Sequence, residues 1–71
     1  MELLEKKQLL ADLFDVEIEE IQENTILDDF DPWDSMTKLS LIVMMDDECG
    51  KKLTGEKILE FKTIKDIIDF M

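Results

Sequence analysis

Ser35 is the residue of this chain best placed to do chemistry. It lies in Asp31-Pro32-Trp33-Asp34-Ser35-Met36, where an acidic segment gives way at once to an apolar run. Asp34 is a good N-cap for a helix starting there, which puts Ser35 in the first turn. That turn carries unpaired backbone N–H groups and the positive end of the helix dipole, so a phosphate attached to the Ser35 hydroxyl would be stabilised. Ser35 is a poor candidate for a self-sufficient nucleophile, because the chain has no histidine to activate it. An ordinary helix cap uses the same residues, so both readings stay open at this point.

The composition narrows the choice. A chain of 71 residues with 45% hydrophobic content allows one domain, residues 1–71, with a small core. A core of that size rarely supplies more than about 3–5 kcal/mol, which leaves little for a deep catalytic cleft. The expectation is a protein that is not an enzyme. Its net charge is −11 and all 8 bases are lysines, so it has no arginine fork for phosphate or carboxylate. Nucleic acid and acidic membrane surfaces would repel it, and a basic protein surface is the natural partner. Cys49 is the only cysteine, which excludes an internal disulfide and a zinc site of cysteines and histidines. The longest apolar run is Leu41 to Met45 and the N-terminus lacks a signal-peptide core, so the expected location is cytoplasmic.

The elements that must position Ser35 follow from apolar spacing. A first helix is expected from Glu2 to Phe14, with Leu3, Leu4, Leu9, Leu10, Leu13 and Phe14 on one side. A second is expected from Ser35 to Cys49, closed by Gly50, and a third from Thr63 to Met71 with a Thr63–Asp66 capping box. A short helical turn fits Gly55 to Phe61, with Thr54 as its N-cap. The expected fold is all-α: a small four-helix bundle of three main helices and one short helix. Asp15 to Asp34 joins the first two as a long loop with nine acids and no base. Its apolar residues, among them Ile21, Leu27, Phe30 and Trp33, predict an ordered loop with a helical turn near Glu19 to Glu23.

The second helix is too apolar for a single core-facing stripe. Leu41, Ile42, Met45 and Cys49 share one arc, while Met36, Leu39 and Val43 form an adjoining arc. That second arc either packs under the acidic loop or is exposed as an interaction surface. Leu39 could be buried while Met36 and Val43 are not.

Taken together, these features resemble a family. Asp34-Ser35-Met36, heading an apolar helix after a long acidic loop, looks like the Asp-Ser-Leu attachment motif of acyl carrier proteins. Thr25-Ile26-Leu27 resembles the family's apolar loop anchor, and Asp46-Asp47-Glu48-Cys49-Gly50 its acidic helix end. Phe61 to Phe70 is similar to the last-helix pattern. The resemblance implies a carrier of thioester-bound acyl groups on a 4′-phosphopantetheine arm, taken from coenzyme A and attached to Ser35 beside Asp34. It implies a phosphopantetheinyl transferase and acyl-transferring or acyl-modifying enzymes with basic docking surfaces as partners. Met36, Leu39, Val43, Asp31, Asp46 and Asp47 are the candidate partner-binding residues, and the expected state is a monomer.

The departures from the family pattern point to partners and pathway. Met36 replaces the usual Leu, Pro32-Trp33 replaces small residues, and Cys49 stands where an aromatic is usual. Thr37, Lys38 and Ser40 occupy positions where acids are common, and the region after the second helix is short. These differences imply a dedicated lipid or secondary-metabolite pathway. Trp33 is read as a loop anchor and Cys49 as a small core residue. An aminoacyl or peptidyl carrier and an unmodified acidic interaction module are the alternatives. A calcium loop is not: counted from Asp29, positions five, six and twelve hold Trp33, Asp34 and Ser40 where an EF-hand needs an oxygen ligand, Gly and Glu.

Overall fold

The computed structural model describes residues 1–71. Four helices follow one another: α1 (Leu3–Phe14), α2 (Ser35–Cys49), α3 (Gly55–Glu60) and α4 (Ile64–Phe70). The connector between α1 and α2 is ordered and holds two single-turn 3₁₀ helices, Ile18–Glu20 and Leu27–Asp29. The first was expected slightly later in the chain, and the second was not expected.

Local chemistry sets the helix ends. Gly50 closes α2 with a left-handed φ of 62°, a conformation that glycine adopts without steric cost. Asp15 takes the same role after α1 at φ 58°, and aspartate tolerates that region better than most residues. Thr54 caps α3 by accepting the Lys57 N–H at 3.2 Å. At α4 the Asp66 carboxylate accepts the N–H groups of Lys62 at 2.8 Å and Thr63 at 3.1 Å. At the other end of α4, Lys51 Nζ donates to the carbonyls of Phe70 at 2.8 Å and Met71 at 3.1 Å.

The core forms where the helices converge. Leu10 and Phe14 of α1, Leu41 and Met45 of α2, Ile58 of α3, and Ile64, Ile67 and Ile68 of α4 are buried together. Ile21 and Leu27 from the connector join them, and this pins the acidic loop to the bundle. Ile26, expected as part of the anchor, is exposed; Leu27 alone goes inward. Two expectations about α1 need correction. Leu3 and Leu4 are exposed, because the first turn of α1 extends past the packed part of the bundle, and the buried set includes Ala11. Ile42 and Cys49 lie at the core margin, half-buried, while Leu41 and Met45 fill its centre.

Candidate functional site

The connector reaches α2 already fixed in place. Its backbone pairs with the start of α4: Leu27 N–H donates to the Lys62 carbonyl at 2.9 Å, Ile64 N–H to Thr25 at 3.1 Å and Lys65 N–H to Glu23 at 3.0 Å. Ile64 and Lys65 open α4, so the connector satisfies two N–H groups that a helix start otherwise leaves unpaired. Further along, Phe14 receives Phe30 edge-on at a centroid distance of 5.2 Å and Trp33 at 6.2 Å. Trp33 is half-buried in this cluster, and Lys38 Nζ lies 5.3 Å from its ring centroid. Trp33 therefore anchors the loop, as its size and apolar body suggest.

Those contacts deliver the chain to Asp34 in extended conformation, and α2 begins with Ser35. Asp34 Oδ1 accepts the Thr37 N–H at 2.9 Å, while Asp34 N–H donates to Thr37 Oγ1 at 3.0 Å. Thr37 Oγ1 in turn donates to the Pro32 carbonyl at 2.6 Å. The Thr37 backbone N–H beside Asp34 holds its carboxyl below the usual carboxylate range, assisted by the Thr37 hydroxyl, Met36 N–H and the Lys38 charge. The carboxylate thus stays ionised while its oxygens are turned into the helix start.

Ser35 is exposed, and none of the side-chain hydrogen bonds at this cap uses its hydroxyl. The cap is made by Asp34 and Thr37, leaving Ser35 Oγ free at the positive end of a 15-residue helix. Downstream on α2, Met36, Leu39 and Val43 are 78%, 65% and 59% exposed. The second arc does not pack under the connector, and Leu39 is as open as its neighbours. Asp46 and Asp47 are exposed near the far end of α2, about 17 Å along the axis from Ser35. Asp31 is exposed in the connector. The candidate residues thus form a strip along one side of α2 and not a closed pocket.

Sequence reasoning missed Thr37 as the partner of Asp34, although the three-residue spacing of a capping box was there to be read. It also missed Leu59 on α3, which is 75% exposed. No group of three or more acids, cysteines or histidines converges to hold a metal ion. No helix is long and apolar enough to cross a membrane.

The start of α2 presents an exposed hydroxyl at a capped helix end, a geometry open to modification by another enzyme. Comparison with known proteins gives the family. The family described as a phosphopantetheine attachment site matches residues 7–71. The chain is 32% identical to an acyl carrier protein of Lactobacillus acidophilus, over 92% of this chain and 81% of the relative. It is 32% identical to an acyl carrier protein of Thermosynechococcus vestitus, over 99% and 88% of the two chains. A third, from Myxococcus xanthus, is 30% identical over 93% and 92%. No solved structure matches. The chain belongs to the phosphopantetheine-binding acyl carrier family, whose members are carriers and not enzymes.

Membership implies a covalently attached 4′-phosphopantetheine. The residues present fit that group. An attached phosphate needs an unencumbered hydroxyl, a helix N-terminus to face and space around it, and Ser35 has all three.

Proposed function

We propose that Ser35 carries the 4′-phosphopantetheine arm and that the protein presents thioester-bound acyl groups to successive enzymes. The observation that supports this most directly is the division of labour at the start of α2. Asp34 and Thr37 make the cap, and Ser35, between them, is left exposed with a free hydroxyl. In the loading reaction Ser35 Oγ attacks the coenzyme A phosphate that bears pantetheine. A phosphodiester forms at Ser35, the pyrophosphate bond breaks, and adenosine 3′,5′-bisphosphate leaves. The Ser35 proton passes to a base of the phosphopantetheinyl transferase, since this chain has no histidine of its own. The group supplies a terminal thiol on a flexible tether; the protein supplies its anchorage and its address.

Met36, Leu39 and Val43 form the apolar centre of the docking surface, and Asp31, Asp46 and Asp47 its acidic margin. Exposed acids without cationic partners steer basic surfaces into register and speed encounter more than they tighten binding. The single domain of residues 1–71 works as a cytoplasmic monomer in a dedicated lipid or secondary-metabolite pathway. Thr37, Lys38 and Ser40 support a distinct partner set, because the first turns of α2 lack the acids common in the family.

The test is intact mass before and after incubation with coenzyme A and a broad-specificity transferase, with Ser35→Ala alongside. A gain of one phosphopantetheine on the wild type alone is the expected result. Folded wild type that stays unmodified, while a known carrier is loaded in parallel, would favour an unmodified interaction module.

A further inference from the structure

Lys38 is the only base between Lys7 and Lys51, and it stands three residues after Ser35. On a helix that spacing puts the two side chains on neighbouring positions, with Cβ atoms roughly 5–6 Å apart. Lys57 and Lys65 pair with carboxylates, and Lys6 and Lys51 donate to carbonyls. Lys38 does neither. Its ammonium lies 5.3 Å from the centroid of the Trp33 ring, and Trp33 is itself held by Phe14. A lysine half-buried on an aromatic ring, in a chain of net charge −11, is a cation kept in place without an anion.

A phosphodiester at Ser35 needs that cation. Asp34 already engages most donors of the first turn: its Oδ1 accepts the Thr37 N–H at 2.9 Å, and its carbonyl accepts the Lys38 N–H at 3.0 Å. The Asp34 carboxylate and exposed Asp31 add negative charge at the same end of α2. The helix dipole remains, but the countercharge must come from a side chain. A charge-assisted pair with a phosphate oxygen is stronger than the attraction of an ammonium to an indole face, so the new anion wins the competition for Lys38.

We propose that Lys38 is the positioning residue of the arm: once Ser35 is loaded, its ammonium leaves the Trp33 ring and pairs with the phosphodiester. The inference rests on Ser35 as the attachment point. Around the helix axis Lys38 lies about 60° to one side of Ser35, whereas Leu39, Val43 and Met36 lie about 40°, 80° and 100° to the other. The pairing therefore draws the root of the arm away from the apolar strip and leaves that strip open to partners. Arginine would pair in the same way, and an uncharged side chain of similar length would not.

NMR of the unmodified and phosphopantetheine-loaded forms tests this, with intact mass confirming the loading. Loading should move the Lys38 ε-methylene signals as the ammonium leaves the ring. Those of Lys51 and Lys57, both 5.8 Å from the Phe70 ring centroid, should stay where they are. In the loaded form Lys38→Met should shift the phosphorus-31 signal of the arm, and Lys38→Arg should bring it back toward wild type. The wild-type comparison needs no variant, so a folding defect in either leaves the test standing. Lys38 signals that are the same before and after loading would overturn the inference. So would a phosphorus signal common to wild type and folded Lys38→Met. No added mass on Ser35 would remove the attachment reading and this inference with it, whereas normal loading with Lys38 unmoved overturns the pairing alone.

Discussion

Thr37 and Asp34 hold the start of α2 from both directions, with N–H to carboxylate at 2.9 Å one way and N–H to hydroxyl at 3.0 Å the other. The Thr37 hydroxyl extends this clasp to the Pro32 carbonyl, joining connector and helix across the attachment residue. Thr37→Val keeps the shape and removes the hydroxyl. It should cost about 1 kcal/mol in urea unfolding, the usual net worth of such hydrogen bonds. Loading of Ser35 by the transferase should slow as the helix start frays. Ser35→Ala should leave stability nearly unchanged, because the serine hydroxyl takes no part in the cap.

Leu39 and Leu41 sit two residues apart on α2 with opposite fates, 65% and 0% exposed. Leu41→Ala should cost about 2–5 kcal/mol, enough to remove most of the stability of so small a domain. Leu39→Ala should stay within about 0.5 kcal/mol of wild type. Chemical denaturation of both variants gives the comparison. If Leu39→Ala also unfolded the protein, the exposed arc would be part of the core.

Trp33 is the sole tryptophan and reports on the connector. Its fluorescence should change with the same midpoint as helix loss by circular dichroism, because the Phe14 contact ties it to the bundle. Trp33→Ala should destabilise by about 2 kcal/mol, below the usual loss for a fully buried ring because half-exposed surface is at stake. An earlier fluorescence transition would show the connector loosening on its own.

Acid should weaken the fold through Asp66. The N–H groups of Lys62 and Thr63 hold its carboxyl below the ordinary value of 3.8. A folded value below the unfolded one stabilises the native state fully above the unfolded pKa, and that gain is lost as pH falls through the folded pKa. Thermal unfolding from about pH 7 to about pH 2 should show the wild-type midpoint dropping below about pH 4. Asp66→Asn should unfold at lower temperature near neutrality and converge toward wild type at the acid end. A constant gap between the two curves would mean that the carboxylate charge is not what matters.

The net charge of −11 opposes compaction, and the two ion pairs, Lys57–Glu60 and Lys65–Asp69, are exposed and sequence-local. Raising sodium chloride from about 0.01 M to about 0.1 M shortens the Debye length from about 30 Å to about 10 Å and should raise the unfolding temperature. A fall instead would show that attractive pairs outweigh the repulsion.

The sequence by itself determined what depends on neighbours along the chain. Helix periodicity placed α1, α2 and α4 within a residue of their observed ends. Asp34, Gly50, Thr54 and the Thr63–Asp66 pair marked helix ends through side-chain and backbone preferences that act over a few residues. Ser35 was legible for the same reason, since a helix start is a local event.

Tertiary structure decided everything that needed a distant partner. Nothing around Thr25 announces that its carbonyl will meet Ile64 N–H, or that the acidic connector will serve as the cap of α4. The apolar stripe of α1 did not show that Leu3 and Leu4 would stay exposed, because burial depends on how far the other helices reach. The two arcs of α2 were equally apolar on paper, and only the packing of α1 and α4 chose Leu41 and Met45 for the core. The same choice left Leu39 and Val43 open, lining a surface recess together with Leu9 and Leu13 of α1. Hydrophobic attraction has no direction of its own; which apolar surfaces meet is settled by the assembled backbone.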